Sequence, residues 1–199
     1  LGSTLYDSSL VQVTKIMEPT RKGDANVTEK DKAIFDSFKF PDGSTGAWWI
    51  NNRIRSIFDE KGEYYEALHR HDQLNYVISA LEGMMNKKVA RWNANRLIIT
   101  LMNPALDLHT SRAPTPPCLI SLGLFPVKDE LTMIGTFRAQ YTDCKALGNI
   151  ISLAMLLGQI CKKTGFRAKH LYNIAYKATL KYPRDVSVRL YNLLNHQSV

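Results

Sequence analysis

The sequence predicts an α+β fold, and three observations carry that reading. Residues 118–138 hold two alternating apolar runs broken at 126–130, as an antiparallel strand pair requires. A short polar link leads from them into residues 146–162, a strongly apolar helix. Earlier, residues 72–86 repeat apolar side chains at three- and four-residue intervals, the period of an amphipathic helix. The 199 residues suit a single domain, residues 1–199, large enough to bury a sizeable core, with 1–27 as an irregular N-terminal segment.

Taken in order, residues 10–16 have the composition of a short strand, and the polar stretch that follows carries little signal. A helix opens at Thr28-Glu29-Lys30-Asp31, where Thr28 and Asp31 resemble a capping box, and Ala33, Ile34, Phe35 and Phe38 form its apolar face. Residues 41–44, Pro-Asp-Gly-Ser, turn the chain. Residues 48–58 form a second helix with Trp49, Ile50, Arg53, Ile54 and Ile57 along one side. The adjacent Trp48 and Trp49 fit core and subunit packing, the favoured reading, or a stacking platform for a base or pterin ring.

The helix at 72–86 presents Leu74, Val77, Ile78, Leu81, Met84 and Met85, with the methionines as core filling. His69 and His71 just before it have no Cys or carboxylate at ligand spacing, which argues against a metal site. Residues 97–102 read as a buried strand bounded by Asn103-Pro104. A Pro- and Thr-rich loop, 107–117, carries His109 and Arg112 toward Cys118. In the first strand of the pair Cys118, Ile120, Leu122 and Leu124 are expected to point one way, Leu119, Ser121 and Phe125 the other. In the second, Leu131, Met133 and Phe137 oppose Thr132, Ile134 and Arg138. Residues 184–195 are a final helix or strand.

Composition narrows the function. The three cysteines, Cys118, Cys144 and Cys161, cannot all pair and form no CxxC, which argues against a disulfide framework or zinc site and leaves a reduced thiol as candidate nucleophile. A net charge of +8 points to an anionic partner. That charge is scattered over Lys87-Lys88, Arg91, Lys162-Lys163, Arg167 and Lys169, so a nucleotide phosphate is favoured over nucleic acid. The most apolar run, residues 150–157, is too short to span a membrane. No signal peptide is visible, so a cytoplasmic location is the expectation, although Leu1 suggests a fragment whose start is missing.

Cys118 precedes Arg138 by 20 residues, and Arg138 precedes Asn149 by 11. Pro-Pro-Cys at a strand start, Arg after Phe at the end of the next strand, and Asn opening a Leu-rich helix resemble the thymidylate synthase superfamily, which includes the pyrimidine nucleotide hydroxymethylases. The resemblance covers residues 62–182 in separate patches. It implies a mixed β-sheet with helices packed on one side and the other sheet face used for dimerisation. It also implies Cys118 as nucleophile, Arg138 and Arg96 as phosphate ligands, and Asn149 as reader of the pyrimidine edge. Gln140 and Asp143 follow as substrate-binding neighbours. Asn95-Arg96-Leu97-Ile98-Ile99 with Met102-Asn103-Pro104 is similar to the family's Arg-Arg-Ile-Ile strand ending in Trp-Asn-Pro, and Asp72-Gln73-Leu74 to its Asp-Gln-Leu. Tyr65 and Arg70 resemble a Tyr-Gly-x-x-Trp-Arg pattern in which Glu66 and His69 replace Gly and Trp.

Two registers fit the family's His-x-Tyr ribose motif. The favoured one uses His170 and Tyr172, with residues 173–182 as the following helix; the other uses Thr179 and Lys181. The sequence also departs from the family. Leu119 stands for the His after the nucleophile, Phe137 and Ala139 for the Gln and Ser flanking the arginine, and Tyr141 for an Asp. The general-base Glu has no assigned position, and the chain stops before the family's folate-closing tail. The resemblance thus implies a transferase, a methyltransferase or hydroxymethylase of nucleotide biosynthesis, acting on C5 of a pyrimidine nucleotide. A thiolate would add to C6, methylenetetrahydrofolate would donate the carbon, no metal would take part, and the protein would be a homodimer. The alternative is a catalytically degenerate nucleotide-binding or regulatory subunit of the same fold.

Overall fold

The computed structural model describes residues 29–87, 96–107 and 116–195. Its centre is the expected strand pair: β2 (Leu119–Val127) and β3 (Glu130–Phe137) run antiparallel from Leu119 opposite Phe137 to Val127 opposite Glu130. Lys128 turns the chain between them at φ +55°. β3 keeps its predicted phase, with Leu131, Met133 and Phe137 buried and Thr132 and Ile134 half-buried. β2 does not. A register shift between Leu119 and Ser121 places an extra residue there, so Leu119, Leu122 and Leu124 all point into the core. An inserted residue swaps the faces on either side of it, which strict alternation cannot anticipate.

β1 (Ile98–Thr100) pairs antiparallel with β2 at the sheet edge. Leu97, Ile99 and Leu101 are buried but Ile98 and Thr100 are exposed, so the strand expected to be wholly buried is covered on one side only. α1 (Glu29–Ser37) buries Phe35 and, just beyond it, Phe38, while Ala33 is exposed. Residues 10–16 and Thr28 lie outside the described residues. Residues 41–44 turn as predicted, with Gly43 at φ +80°. α2 (Gly46–Phe58) is N-capped by Thr45, whose side chain accepts the Trp48 N–H.

α3 (Tyr65–His69) and a single 3-10 turn lead into α4 (Gln73–Met85) through His71 and Asp72, both left-handed. Gln73 ties α4 to β1: its Oε1 accepts the Thr100 N–H at 3.0 Å and its Nε2 donates to the Thr100 carbonyl at 3.1 Å. A short α5 (Pro104–Asp107) follows β1.

After β3 the polar link contains β4 (Gln140–Tyr141). α6 (Lys145–Thr164) then crosses back and ends at Gly165, whose φ of +81° suits the left-handed helix stop. β5 (Arg167–Ala175) pairs with β3 in parallel, the arrangement for which such a helical crossover is needed. The helix expected at 173–182 is therefore absent. That stretch finishes β5 and forms β6 (Ala178–Thr179), parallel to β4. Its backbone groups are satisfied by neighbouring strands, a long-range pairing that local propensity does not report. α7 (Arg184–Asn195) settles the last segment as helix.

The sheet order is β1-β2-β3-β5. α4 and α6 cover one face, and α6 comes so close that a Cβ on Gly135 would lie 2.6 Å from Leu153 Cδ1. The other face leaves Ile98, Phe125, Val127, Tyr172 and Ile174 exposed. α2 crosses α6 at Gly148, where a Cβ would stand 2.8 Å from Arg53 Cγ. Among the described residues no helix is long and apolar enough to cross a membrane, and no group of three or more His, Cys, Asp or Glu could hold a metal ion.

Candidate functional site

The antiparallel pairing of β2 with β3 brings Cys118 and Arg138 together. The Arg138 N–H donates to the Cys118 carbonyl at 2.8 Å. The Arg138 side chain then turns back along the same segment, its Nη2 donating to the Pro116 carbonyl at 2.8 Å and its Nε to the Pro117 carbonyl at 3.3 Å. Proline's tertiary amide has no N–H, but its carbonyl accepts normally, so Pro116-Pro117 offers the guanidinium two acceptors in succession. Nη1 makes no hydrogen bond among the described residues.

The Cys118 thiol is half-buried against the main core. The other two cysteines are buried and resist ionisation. Burial, reinforced by the Asp143 carboxylate, pushes Cys144 up to about 12, and burial pushes Cys161 up to about 11. Thiolate chemistry near neutral pH is therefore closed to them.

Tyr64, which sequence reading left out of the site, stands near the thiol, with Arg53 and Glu63 behind it. Tyr64 is 2% exposed, and burial first of all keeps its phenol protonated. Arg53, also 2% exposed, lies over the Tyr64 ring at 5.1 Å, and its Nη2 meets Glu63 Oε2 at 2.8 Å. Its Nε is buried without a partner among the described residues. The sequence did carry a signal for Arg53, a charge on the apolar side of α2.

Asn149 is buried in the second turn of α6, and its carboxamide makes no hydrogen bond among the described residues. Leu153, four residues on, stands over Gly135, so Asn149 shares that stripe one turn nearer the Arg138 end of β3. Gln140 is buried too, and its Oε1 accepts from Asn173 Nδ2 at 2.9 Å. Asp143 holds the chain in place, because its carboxylate accepts the backbone N–H groups of Lys181 and Tyr182 at 2.9–3.0 Å.

Other expected site residues fall elsewhere. Arg96 is exposed beside Leu97, whose carbonyl bonds Leu124, six positions from Cys118. At the usual strand rise that is roughly 20 Å away within one chain. His170 is half-buried, and Tyr172 is exposed on the uncovered face beside Ile134, four positions before Arg138. The structure does not bring these two to the Cys118 end. Thr179 and Lys181 of the second register do lie beside Tyr141 and Asp143. His109 and Arg112 lie outside the described residues.

Trp49 is buried, with Lys181 Nζ at 4.5 Å and Lys145 Nζ at 5.6 Å from its ring centroid. Trp48 meets it edge-on at 4.7 Å. Trp49 is thus core with cation–π cover, whereas Trp48 is half exposed. No family model matches this chain, and no curated protein matches it.

Proposed function

We propose that the chain is a pyrimidine nucleotide C5 one-carbon transferase of thymidylate synthase type, adding a methyl or hydroxymethyl group through Cys118. The observation that carries this reading is the half-buried Cys118 thiol beside an arginine anchored to the two carbonyls that lead into it. The cation is held by backbone, so no carboxylate cancels its charge among the described residues, and its Nη1 is left for a substrate anion.

In this reading the thiolate adds to C6 of the pyrimidine and the C5=C6 electron pair moves toward O4. Asn149 donates to O4 and accepts from N3. C5 would then bond the methylene carbon that a bound folate supplies. Loss of the C5 proton would expel the folate nitrogen to leave an exocyclic methylene. Addition there of water (hydroxymethyl) or of hydride from the departing tetrahydrofolate (methyl, leaving dihydrofolate) would re-form C5=C6 and release the Cys118 thiolate. By resemblance Gln140 and Asp143 are substrate-binding neighbours; both are buried, and Asp143 holds the 181–182 segment in place. The donor, by resemblance, is methylenetetrahydrofolate. A free thiol suits a reducing, cytoplasmic compartment.

Arg96 can join this site only from another copy. Arg96 lies too far from Cys118 in its own chain, at the edge of a sheet face that exposes Ile98, Phe125, Val127, Tyr172 and Ile174. A homodimer joined by that face would cover this apolar surface and can carry Arg96 across.

One observation favours the second reading, a nucleotide-binding or regulatory subunit without turnover. Leu119 and Phe137, which replace the resembling family's His and Gln, sit opposite each other in the strand pair and are both fully buried. Those two positions serve packing here.

Intact-mass spectrometry after incubation with 5-fluoro-dUMP, with and without methylenetetrahydrofolate, separates the readings. The transferase forms an adduct that maps to Cys118 and vanishes in Cys118→Ser. No adduct, together with a rise in unfolding temperature on adding nucleotide, assigns the second reading.

A further inference from the structure

The adjacent tryptophans are a motif that the transferase reading leaves unused, and the fold sets beside them groups that the sequence holds far apart. Trp48 is 50% exposed and Tyr141 is 40% exposed, so each ring presents open surface. Lys145 links the two. Its ammonium lies 5.7 Å from the Tyr141 centroid and 5.6 Å from that of Trp49, on which Trp48 packs edge-on at 4.7 Å.

Charge around these rings is unbalanced. Lys181 Nζ, 4.5 Å from the Trp49 centroid, is held by Asp42, and the buried Asp143 carboxylate is taken by the backbone N–H groups of Lys181 and Tyr182. Lys145 has no carboxylate partner among the described residues. Neither has Lys177, which is exposed just before β6, where its carbonyl accepts the Gln140 N–H at 2.9 Å beside Tyr141. Lys145 also opens α6, whose first turn carries no acid, so the helix end adds to the positive field.

An open ring, an unpaired cation and a second open ring match the order base, phosphate, base. Proteins hold single strands by this combination, because any base can stack on an aromatic face while cations follow the backbone. A duplex hides its base faces, and a mononucleotide would leave one of the rings bare.

We propose that Trp48, Tyr141 and Lys145, bordered by Lys177, form a docking strip for single-stranded nucleic acid, with bases on the two rings and a phosphate at Lys145. The strip contains neither Cys118 nor Arg138, so it stands whether or not the transferase reading does.

Fluorescence anisotropy on the full chain tests it, with fluorescein-labelled oligothymidylate and oligouridylate dodecamers and a labelled mononucleotide. The dodecamers bind at least tenfold more tightly than the mononucleotide. Their affinity falls about tenfold between roughly 50 and 200 mM salt, the slope of two or three phosphate contacts on a single strand. Trp48→Ala and Tyr141→Ala each weaken binding about fivefold or more, the loss of one stacked base, and Lys145→Ala flattens the salt dependence. A preference for either dodecamer supports the strip and names the sugar it takes. Dodecamers bound no more tightly than the mononucleotide assign the rings to a small ligand and overturn it. Tight, salt-dependent binding that survives removal of both rings marks general attraction to a basic surface, and overturns it too.

Should an alanine variant fail to fold, Trp48→Phe keeps a ring in place. The dodecamer quenches the tryptophan fluorescence of the wild type; in Trp48→Phe binding is retained and most of the quenching is lost. Quenching that is unchanged in Trp48→Phe puts the strand elsewhere and sinks the proposal.

Discussion

The cluster between the sheet and α6 is almost entirely hydrocarbon, with Leu119, Leu122, Leu124, Leu131, Met133 and Leu153 all fully buried. The cluster on the far side of α2 is aromatic and edged with charge. Phe40 stacks on Tyr182 at 4.8 Å, and Asp42 accepts from Lys181 Nζ and the Tyr182 hydroxyl at 2.6 Å each, across 139 and 140 residues of sequence. The first region depends on volume, which pH does not alter. The second joins the two ends of the described chain through ionised groups, so its contribution depends on pH. Cys118 is packed against the first, while Asp143 and Lys145 border the second.

Breaking the hydrocarbon cluster has the largest effect. Leu153→Ala removes the side chain seated over Gly135, and a cavity there costs about 2–5 kcal/mol. Urea unfolding should show a lower midpoint at unchanged slope.

Asp42→Asn acts on the other cluster, with a smaller effect and a distinct pH signature. The hydrogen bond from Lys181, then those from Ser44 and Tyr182, hold the Asp42 carboxyl well below the usual range. A carboxylate lowered on folding stabilises above its unfolded value, about 3.9, and that gain is lost as pH falls through the folded value. Burial opposes the Lys181 charge, but its bonds to Asp42 and Tyr182 raise it overall, so its share is lost only at strongly alkaline pH. The gap in unfolding temperature between wild type and Asp42→Asn is therefore widest near neutrality and closes toward pH 2. A gap that is constant with pH means that Asp42 contributes shape and not charge.

Phe125→Glu touches neither cluster and alters chain stability least, since the ring is already half in solvent. Sedimentation velocity should instead show a dimer becoming a monomer. A wild type that is monomeric at all concentrations removes the role given to Arg96 from a second copy.

Much of the first cluster was readable. The phase of β3, the apolar stripe of α4 and the length of α6 all follow from periodicity, and 20 residues between Cys118 and Arg138 is what a hairpin needs to set them side by side. The shift at Ile120 was not readable, because one inserted residue leaves no mark on composition. His170-Leu171-Tyr172-Asn173 drew attention through His and Tyr, whereas the structure gives the inward position to Asn173. A strand's two faces differ by one residue, and the partner strand chooses between them.

Apolar spacing, turn residues and the single Pro-Pro-Cys step are local properties, and they are enough to specify an α+β chain with a thiol at a strand start. Packing decided which cysteine stays accessible, that Arg138 spends two nitrogens on Pro116 and Pro117, that Arg53 is buried beside Tyr64, and that Gln140 finds Asn173. Each of those joins residues that the backbone separates by 10 to 33 positions or more, and desolvation acts only once the chain has closed around them.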